Sequence, residues 1–264
     1  MLKSLRPFAT AVAAAASLAA AGAANAVVIA GVDIPVGQLF GVTQTYQNVP
    51  LIVGDTLTGY GKIDSINSLA VSSLCTDCEL TYVFGGYTVT AVSSGEIRFT
   101  GGWLKVYAGF GADNDFTTAN AGGSAGDMAE ASNGTLLLSL KGHEVDAAGN
   151  TFVATGIGLG TSSPAGFSSG LMDVDTAAGG AGNGYFNTNG IAAAFGAGPA
   201  DVQIGSSFTA LAPLYPAECP GGGACLRGSS NVIASVSAVP EPETAALLLG
   251  GLGLVLTVAR RRLR

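Results

Sequence analysis

Two neighbouring segments of the sequence alternate apolar and polar residues with a period of two, and a pair of glycines interrupts each of them. Residues 80–92 contain Gly85 and Gly86, and residues 96–107 contain Gly101 and Gly102. A period of two is typical of a half-buried β-strand, and two β-rich runs around Gly-Gly indicate a β-hairpin. Strands that continue through the glycines as β-bulges are the alternative. Either arrangement builds the chain from antiparallel strands.

Further segments have the same short-strand pattern. They are residues 49–53, 134–141, 151–159, 201–212 and 231–238. Residues 119–131 predict a loop or a short helix, and residues 177–200 predict a long connection with some helix at 191–195. The chain has 40 glycines and only 11% charged residues, which argues against a helical bundle. We therefore expect an all-β fold, an antiparallel β-sandwich or jelly-roll-like single domain.

The N-terminus has the layout of a secretory signal peptide. Lys3 and Arg6 precede an apolar run over residues 8–21, and Ala24 and Ala26 form a small-x-small cleavage site. This order of charged region, apolar core and cleavage site directs a chain to the secretion translocon. We expect residues 1–26 to be a signal peptide that is removed after Ala26.

The C-terminus combines three features in a fixed order. Pro240, Glu241 and Pro242 come first, and residues 244–259 follow without a charge. The basic tail then contains Arg260, Arg261, Arg262 and Arg264. As a helix the uncharged stretch is about 24 Å long, slightly short of a hydrocarbon core of about 30 Å, and arginine side chains extend outward to make up the difference. It predicts one C-terminal transmembrane helix, with residues 27–239 outside the cytoplasm.

These C-terminal residues resemble the sorting signal of PEP-CTERM proteins. In that family an exosortase, a membrane-embedded cysteine transpeptidase, recognises the signal and cuts near the motif. With the signal peptide, the resemblance implies an extracytoplasmic β-rich domain over residues 27–238 and a sorting signal over residues 239–264. It also implies transient anchoring in the inner membrane, followed by a location at the cell surface or outside the cell. The family is associated with exopolysaccharide and with biofilm or floc formation.

Between the two signals the chain is strongly acidic. Residues 27–239 contain five Lys or Arg and 16 Asp or Glu, a net charge of −11. Binding to nucleic-acid phosphates needs the opposite charge, so we expect no nucleic-acid partner. The acids are spread along the chain, as on a solvated surface.

The four cysteines occur as two close pairs, Cys75 with Cys78 and Cys219 with Cys225. An even count in an exported chain favours disulfides, and we expect local pairing among the three connectivities that four cysteines allow. A four-thiolate zinc site is the alternative, although the second spacing is wide for one.

Two acidic pairs are candidate calcium ligands. They are Asp113 with Asp115 and Asp173 with Asp175, and alternation along a strand would place the second pair on one face. Ordinary turn residues are the alternative. We expect no other cofactor.

No catalytic residue is predicted. The one histidine, His143, is expected in a polar turn, and the Gly-x-Ser-x-Gly matches around Ser124 and Ser168 lack the strand–turn–helix context of a nucleophile elbow. We therefore expect a non-enzymatic cell-surface or extracellular matrix protein associated with exopolysaccharide. The alternatives are a carbohydrate-binding module, with Trp103 or Tyr107 as a stacking platform, and a secreted glycan hydrolase with paired carboxylates.

Overall fold

A computed structural model describes residues 27–35, 39–118, 123–193, 198–210, 219, 225–234 and 236. Residues 28–237 form one compact unit, and a second unit comprises residues 1–27 and 238–264, of which Val27 is described. The predicted signal peptide, Pro-Glu-Pro motif, transmembrane helix and basic tail lie outside the described residues. Within the described ranges, no helix combines the length and the apolar character that a membrane crossing requires.

The described residues are mostly strands, which confirms the all-β prediction. In chain order the strands are β1 Val27–Ile29, β2 Val32–Ile34, β3 Leu39–Asn48, β4 Thr56–Ile63, β5 Ser65–Ile66, β6 Leu69–Ala70, β7 Cys78–Val92, β8 Glu96–Phe110, β9 Thr135–His143, β10 Phe152–Ile157, β11 Ala165–Val174, β12 Val202–Ala210 and β13 Cys225–Ala234. The helices with α-geometry are α1, Gly123–Glu130, and α2, Asn183–Phe186.

The main sheet closes on itself as an eight-position antiparallel barrel. Around the barrel the order is β3, β4 with β5, β7, β8, β9 with β10, β11, β12 and β13. Strand β13 then pairs with β3, which closes the sheet. Two of the eight positions each hold two strands end to end. Strand β3 pairs with β5 near its start and with β4 near its end. Strand β8 pairs with β10 near its start and with β9 near its end. Many neighbours in the sheet are also neighbours in the chain; the pairings β8 with β10, β9 with β11 and β13 with β3 are not.

This closure corrects the prediction of a sandwich or jelly roll. A sandwich needs two separate sheets packed face to face, whereas here one sheet curls until its edges pair. The two 15-residue strands, β7 and β8, are long and carry β-bulges, which bend strands and increase their twist. A strongly curled sheet of eight strands has an interior that its side chains can fill.

The strands continue through the paired glycines, so the hairpin prediction at these sites is wrong. The alternative is right about the continuous strands, but the register passes the glycines unshifted and the β-bulge lies between Val89 and Ala91. Gly85 lies opposite Trp103, and Tyr87 lies opposite Gly101. Gly86, Gly101 and Gly102 all have positive φ angles, which glycine adopts without a steric penalty. The turn between the two strands is residues 93–95 instead.

Other local predictions had mixed outcomes. Residues 49–53 form a turn rather than a strand, while the expected strands near 134–141, 151–159 and 201–212 are present. The short helix predicted within residues 119–131 is α1. In the long connection the helix is α2, and Ile191 instead forms an isolated bridge with Ala200.

An apolar cluster lies on the outside of the barrel under α1. Its buried members are Tyr46, Tyr60, Val83 and Ala131. The Tyr46 and Tyr60 rings stack with centroids 5.6 Å apart, and the Tyr60 hydroxyl donates to Asp127 Oδ2 at 2.7 Å. This outer cluster fixes α1 against β3, β4 and β7.

Candidate functional site

An open groove of about 710 Å³ crosses the outer wall of the barrel over β10, β11, β12 and β13. We call it the outer groove. The side chains that line it include Ile157, Phe167, Ser207, Thr209, Arg227 and Ser229. Strand register brings them together, because Phe167 lies opposite Ser207, and Ser207 lies opposite Ser229.

The outer groove presents two large apolar side chains to solvent. Phe167 is 70% exposed and Ile157 is 74% exposed. They occupy the same face of adjacent strands, since Thr155 is opposite Phe167 and Ile157 is two residues further along β10. An exposed aromatic ring that no neighbour covers is a stacking platform for an amphipathic ligand.

Polar groups surround these two side chains. The Ser207 and Ser229 hydroxyls lie 3.0 Å apart, and Thr209 lies opposite Arg227. Arg227 is exposed and forms no ion pair with any residue of the described ranges. The groove therefore combines an apolar platform, hydroxyls and one unpaired cation.

Glycines keep the walls of the groove low. Gly156, Gly166 and Gly228 also line it, and a Cβ on Gly166 would meet the carbonyl oxygen of Thr155. Glycine within a strand often marks a place where another backbone or a ligand approaches closely. Here the neighbouring strand makes the close approach. Because these glycines have no side chains, no atoms from their positions cover the Phe167 ring.

The two aromatic residues predicted as stacking platforms have other surroundings. Trp103 is partly exposed on the outer face of β8, where it covers Gly85 and Gly86, and Lys105 Nζ lies 5.7 Å from its ring centroid. Tyr107 packs against the outer cluster, and its partial burial raises the pKa of its phenol. Phe167 is a more open platform than either.

His143 is a buried residue at the end of β9, not a solvated turn histidine. Its Nδ1 lies 2.9 Å from both Asp173 carboxylate oxygens, and its Nε2 lies 3.2 Å from the Gly198 carbonyl oxygen. Both ring nitrogens are thus engaged by acceptors. The imidazole links β9 to β11 and to the connection that precedes β12.

The acidic pairs predicted as calcium ligands have separate contacts. Asp173 contacts His143, whereas Asp175 lies beyond the end of β11 and accepts from the Ala177 backbone N–H at 3.1 Å. Asp115 Oδ1 accepts from Asn133 Nδ2 at 3.0 Å, and Asp113 ends a 3₁₀ turn. Across the described ranges, no three His, Cys, Asp or Glu side chains group as a metal site. Calcium binding stays a prediction.

Both predicted disulfides are present, Cys75 with Cys78 and Cys219 with Cys225. Their Cα atoms are 5.8 and 5.1 Å apart, distances that a disulfide spans without backbone movement. Cys219 and Cys225 are buried, and Cys225 begins β13 opposite Asn48 of β3.

Three buried carboxylates organise loops, and no sequence pattern singled them out. Asp201 is almost completely buried and accepts from three backbone N–H groups, those of Val174, Thr188 and Asn189. Glu79 accepts from the Phe116 N–H at 3.0 Å and pairs with Lys62 at 2.7 Å. Asp127 accepts from Tyr60 under α1. These groups are structural, since each fixes a connection to the barrel wall.

The residues of the outer groove were also missed by sequence reasoning. Phe167 stood between Gly166 and Ser168 in a segment too rich in glycine and serine to be recognised as a strand. Its one usable signal was its position as a lone large aromatic among small residues. Arg227 was recognised only as one of five cations between the two signals.

Comparison with known proteins identifies the C-terminal signal. A family model described as the PEP-CTERM protein-sorting motif matches residues 238–262. The match includes Pro240, Glu241, Pro242 and the first three arginines of the basic tail. The chain therefore carries a PEP-CTERM sorting signal of the kind that exosortase substrates have. No curated protein and no solved structure matches the chain.

The motif has consequences for where the protein goes. It implies processing by an exosortase, and it implies export with membrane anchoring before surface release. Barrel and groove therefore belong to an exported protein.

Proposed function

We propose that this protein acts outside the cell as a non-enzymatic component of the exopolysaccharide matrix and that it binds polysaccharide in the outer groove. The signal peptide would deliver the chain to the secretion translocon, and the exosortase would end its transient anchoring in the inner membrane. The observation that carries the proposal is the exposed Phe167 ring, which stands among hydroxyls in an open groove.

The chemistry of the groove suits a sugar polymer. A pyranose ring has an apolar face and a rim of hydroxyls, so it can stack on Phe167 while Ser207 and Ser229 exchange hydrogen bonds with it. The groove is open rather than enclosed, which lets a long chain pass through it.

Charge favours a polysaccharide that carries carboxylates. Residues 27–239 have a net charge of −11, yet none of the described residues that line the outer groove is an Asp or a Glu. Arg227 lies there without an ionic partner among the described residues. A uronate carboxylate would pair with Arg227 and would meet no like charge in the groove.

The same lining favours binding over hydrolysis. Glycoside hydrolysis generally uses two carboxyl groups that flank the scissile bond, and the described lining of the outer groove supplies neither. A polysaccharide bound there is held without being cut.

The test is affinity electrophoresis of the exported protein, purified after processing by its producing cell. Three gels are compared. The first contains exopolysaccharide from those cells, the second contains polygalacturonate as an acidic probe, and the third contains dextran as a neutral probe. We expect retardation in the first two gels. Phe167→Ala should weaken retention about tenfold, since an aromatic platform contributes on the order of 1–1.5 kcal/mol.

Two further variants separate the contributions. Arg227→Gln should weaken binding to polygalacturonate and should not change any residual binding to dextran. Ile52→Ala removes another exposed aliphatic side chain, 66% exposed, from a turn outside the groove and should bind as the unaltered protein does. Unretarded migration in every gel, equal retention of Phe167→Ala, or release of reducing sugars on incubation would each contradict the proposal.

A further inference from the structure

The interior of the barrel is not completely filled. It contains one cavity of about 70 Å³ and a second of about 20 Å³. The two cavities share the lining residues Gln47, Leu57 and Phe152. One water needs about 10–15 Å³ of such space, so the larger cavity has room for several waters or for one small organic molecule.

The walls of the larger cavity are apolar. Typical members are Val42, Leu138 and Val202, contributed by three different strands. Burial raises the pKa of both Tyr82 and Tyr87, whose phenols face this interior, well above its ordinary value. Water needs two to four polar partners, and a cavity with such walls offers few.

Most interior polar groups are already satisfied. The Tyr82 and Thr45 hydroxyls lie 2.6 Å apart, and Ser168 and Ser206 form a second hydroxyl pair. Gln47 differs from them, because this partly buried residue lines both cavities and its side-chain amide makes no hydrogen bond to any residue in the described ranges. It is a polar anchor at the junction of the two spaces.

Among the described residues, no charged side chain lines either cavity. Burying an unpaired charge in such surroundings is strongly unfavourable. The occupant that fits is therefore neutral, with an apolar body and one hydrogen-bonding group.

One end of the barrel offers an apolar approach. Val49 and Pro50 line the smaller cavity, and the turn that follows them exposes Ile52 and Val53, at 66% and 61%. Asp55 holds this turn, since its carboxylate accepts from the Leu51 and Ile52 N–H groups. Exposed apolar side chains thus follow directly on residues that line the smaller cavity.

We propose that the barrel interior is a binding site for a small neutral amphiphile of the alkanol class, whose alkyl chain fills the larger cavity while its hydroxyl bonds to the Gln47 amide. The site is independent of the outer groove. Neither the sorting signal nor polysaccharide binding takes part in it.

The test adds 1-hexanol, hexanoate or hexane to the exported protein and measures binding and the Tm. We expect 1-hexanol to raise the Tm saturably, by about 3–5 °C at ten times its Kd. Hexanoate, which has the same chain length but carries a charge, should give no such shift. Gln47→Leu should remove the preference for hexanol over hexane and bring the ratio of their Kd values to about one.

A matched pair of variants locates the site. Val232 lines the larger cavity and Ile233, the next residue of β13, is exposed outside. Val232→Phe should fill the cavity and abolish the Tm shift, whereas Ile233→Phe should keep it. Far-UV circular dichroism checks that both variants are folded.

A measurement on the unaltered protein makes the test independent of any variant. Nuclear Overhauser effects from hexanol protons should reach the methyl groups of Leu138 and Val202 and should not reach Ile233. Lack of a saturable shift, an equal shift with hexanoate, a retained shift in folded Val232→Phe, or contacts to Ile233 alone would overturn the proposal. Any of these results leaves the polysaccharide test unaffected.

Discussion

At the scale of single residues, the paired glycines of β7 and β8 lie where aromatic rings pack against bare backbone. A Cβ added to Gly102 would collide with the Tyr87 ring, and one added to Gly86 would press on Trp103. Both glycines also have positive φ angles. Each position thus requires glycine for two reasons, backbone conformation and the space that a neighbouring ring takes.

Gly102→Ala tests the second reason against a matched control. We expect this substitution to lower the free energy of unfolding by about 3 kcal/mol, from left-handed strain plus overpacking against Tyr87. Gly54 has φ +95° and no atom within 4 Å of an added Cβ, so Gly54→Ala should cost about 1 kcal/mol through strain alone. Urea unfolding measures both, and equal losses would contradict the role given to Tyr87.

Residue-level predictions succeeded where the interaction is local in the chain. The two disulfides join cysteines three and six residues apart, so spacing and an exported context were enough to predict them. His143 was misplaced because its partners, Asp173 and Gly198, are 30 and 55 residues away. A sequence pattern cannot report contacts that depend on strand register.

At the scale of elements, the connection between β9 and β10 is held by one carboxylate. Asp146 Oδ1 accepts from the backbone N–H groups of Ala148, at 2.9 Å, and Asn150, at 3.1 Å. Asp146 Oδ2 pairs with Arg98 of β8 and accepts from the Asn150 amide at 2.8 Å. The Asn150 side chain, its backbone N–H, the Ala148 N–H and Arg98 together lower the pKa of Asp146.

This arrangement predicts acid-sensitive stability. Because the pKa of Asp146 is lower in the folded chain than in the unfolded chain, its contribution is complete above about pH 5 and is lost as pH falls below about 4. Asp146→Asn keeps one acceptor oxygen but loses the charge, and it should cost on the order of 1 kcal/mol at pH 6. Thermal unfolding from pH 3 to pH 6 should show the Tm difference shrinking towards acid.

Glu144 supplies the control for this prediction. It is an exposed carboxylate in the same connection, with no hydrogen bond or ion pair among the described residues. Glu144→Gln should leave the Tm within error of the unaltered protein at every pH. A difference for Asp146→Asn that persisted unchanged at pH 3 would contradict the proposed ionic role.

Element predictions were better for apolar strands than for glycine-rich ones. Strand β9 contains three consecutive leucines and was predicted within two residues of its ends. Strands β3 and β11 were missed, since Gly, Ser and polar residues weaken their alternation and the sheet itself supplies their order. Residues 49–53 show the reverse error, because an apolar run there forms an exposed turn.

At the scale of the whole molecule, β13 closes the barrel because it pairs with β12 on one side and β3 on the other. Its first residue is the buried Cys225, which is joined to Cys219. The other disulfide joins Cys75 to Cys78 at the partly exposed start of β7. The two bridges therefore differ in how closely they are tied to closure.

Removing each bridge in turn tests this difference. Both enclose short loops, so chain entropy alone predicts a similar loss of about 2 kcal/mol for each. We expect the double substitution of Cys219 and Cys225 by alanine to lower the free energy of unfolding by about 1–2 kcal/mol more than that of Cys75 and Cys78. Removing two buried sulfur atoms leaves unfilled space beside the closing strand. Chemical unfolding of both double variants is the measurement, and equal losses would contradict a link to closure.

The sequence by itself determined the destination, the β-rich class and the two local disulfides, because each depends on residues that are close together in the chain. Tertiary structure decided that one sheet closes, that Phe167 and Arg227 line the same groove and that Gln47 lines the two interior cavities. These features depend on pairing among strands that are far apart in the chain, such as Thr45 with Gly228. A shift of one residue in any strand exchanges its inward and outward side chains, so the closed register alone sets both the groove and the cavity.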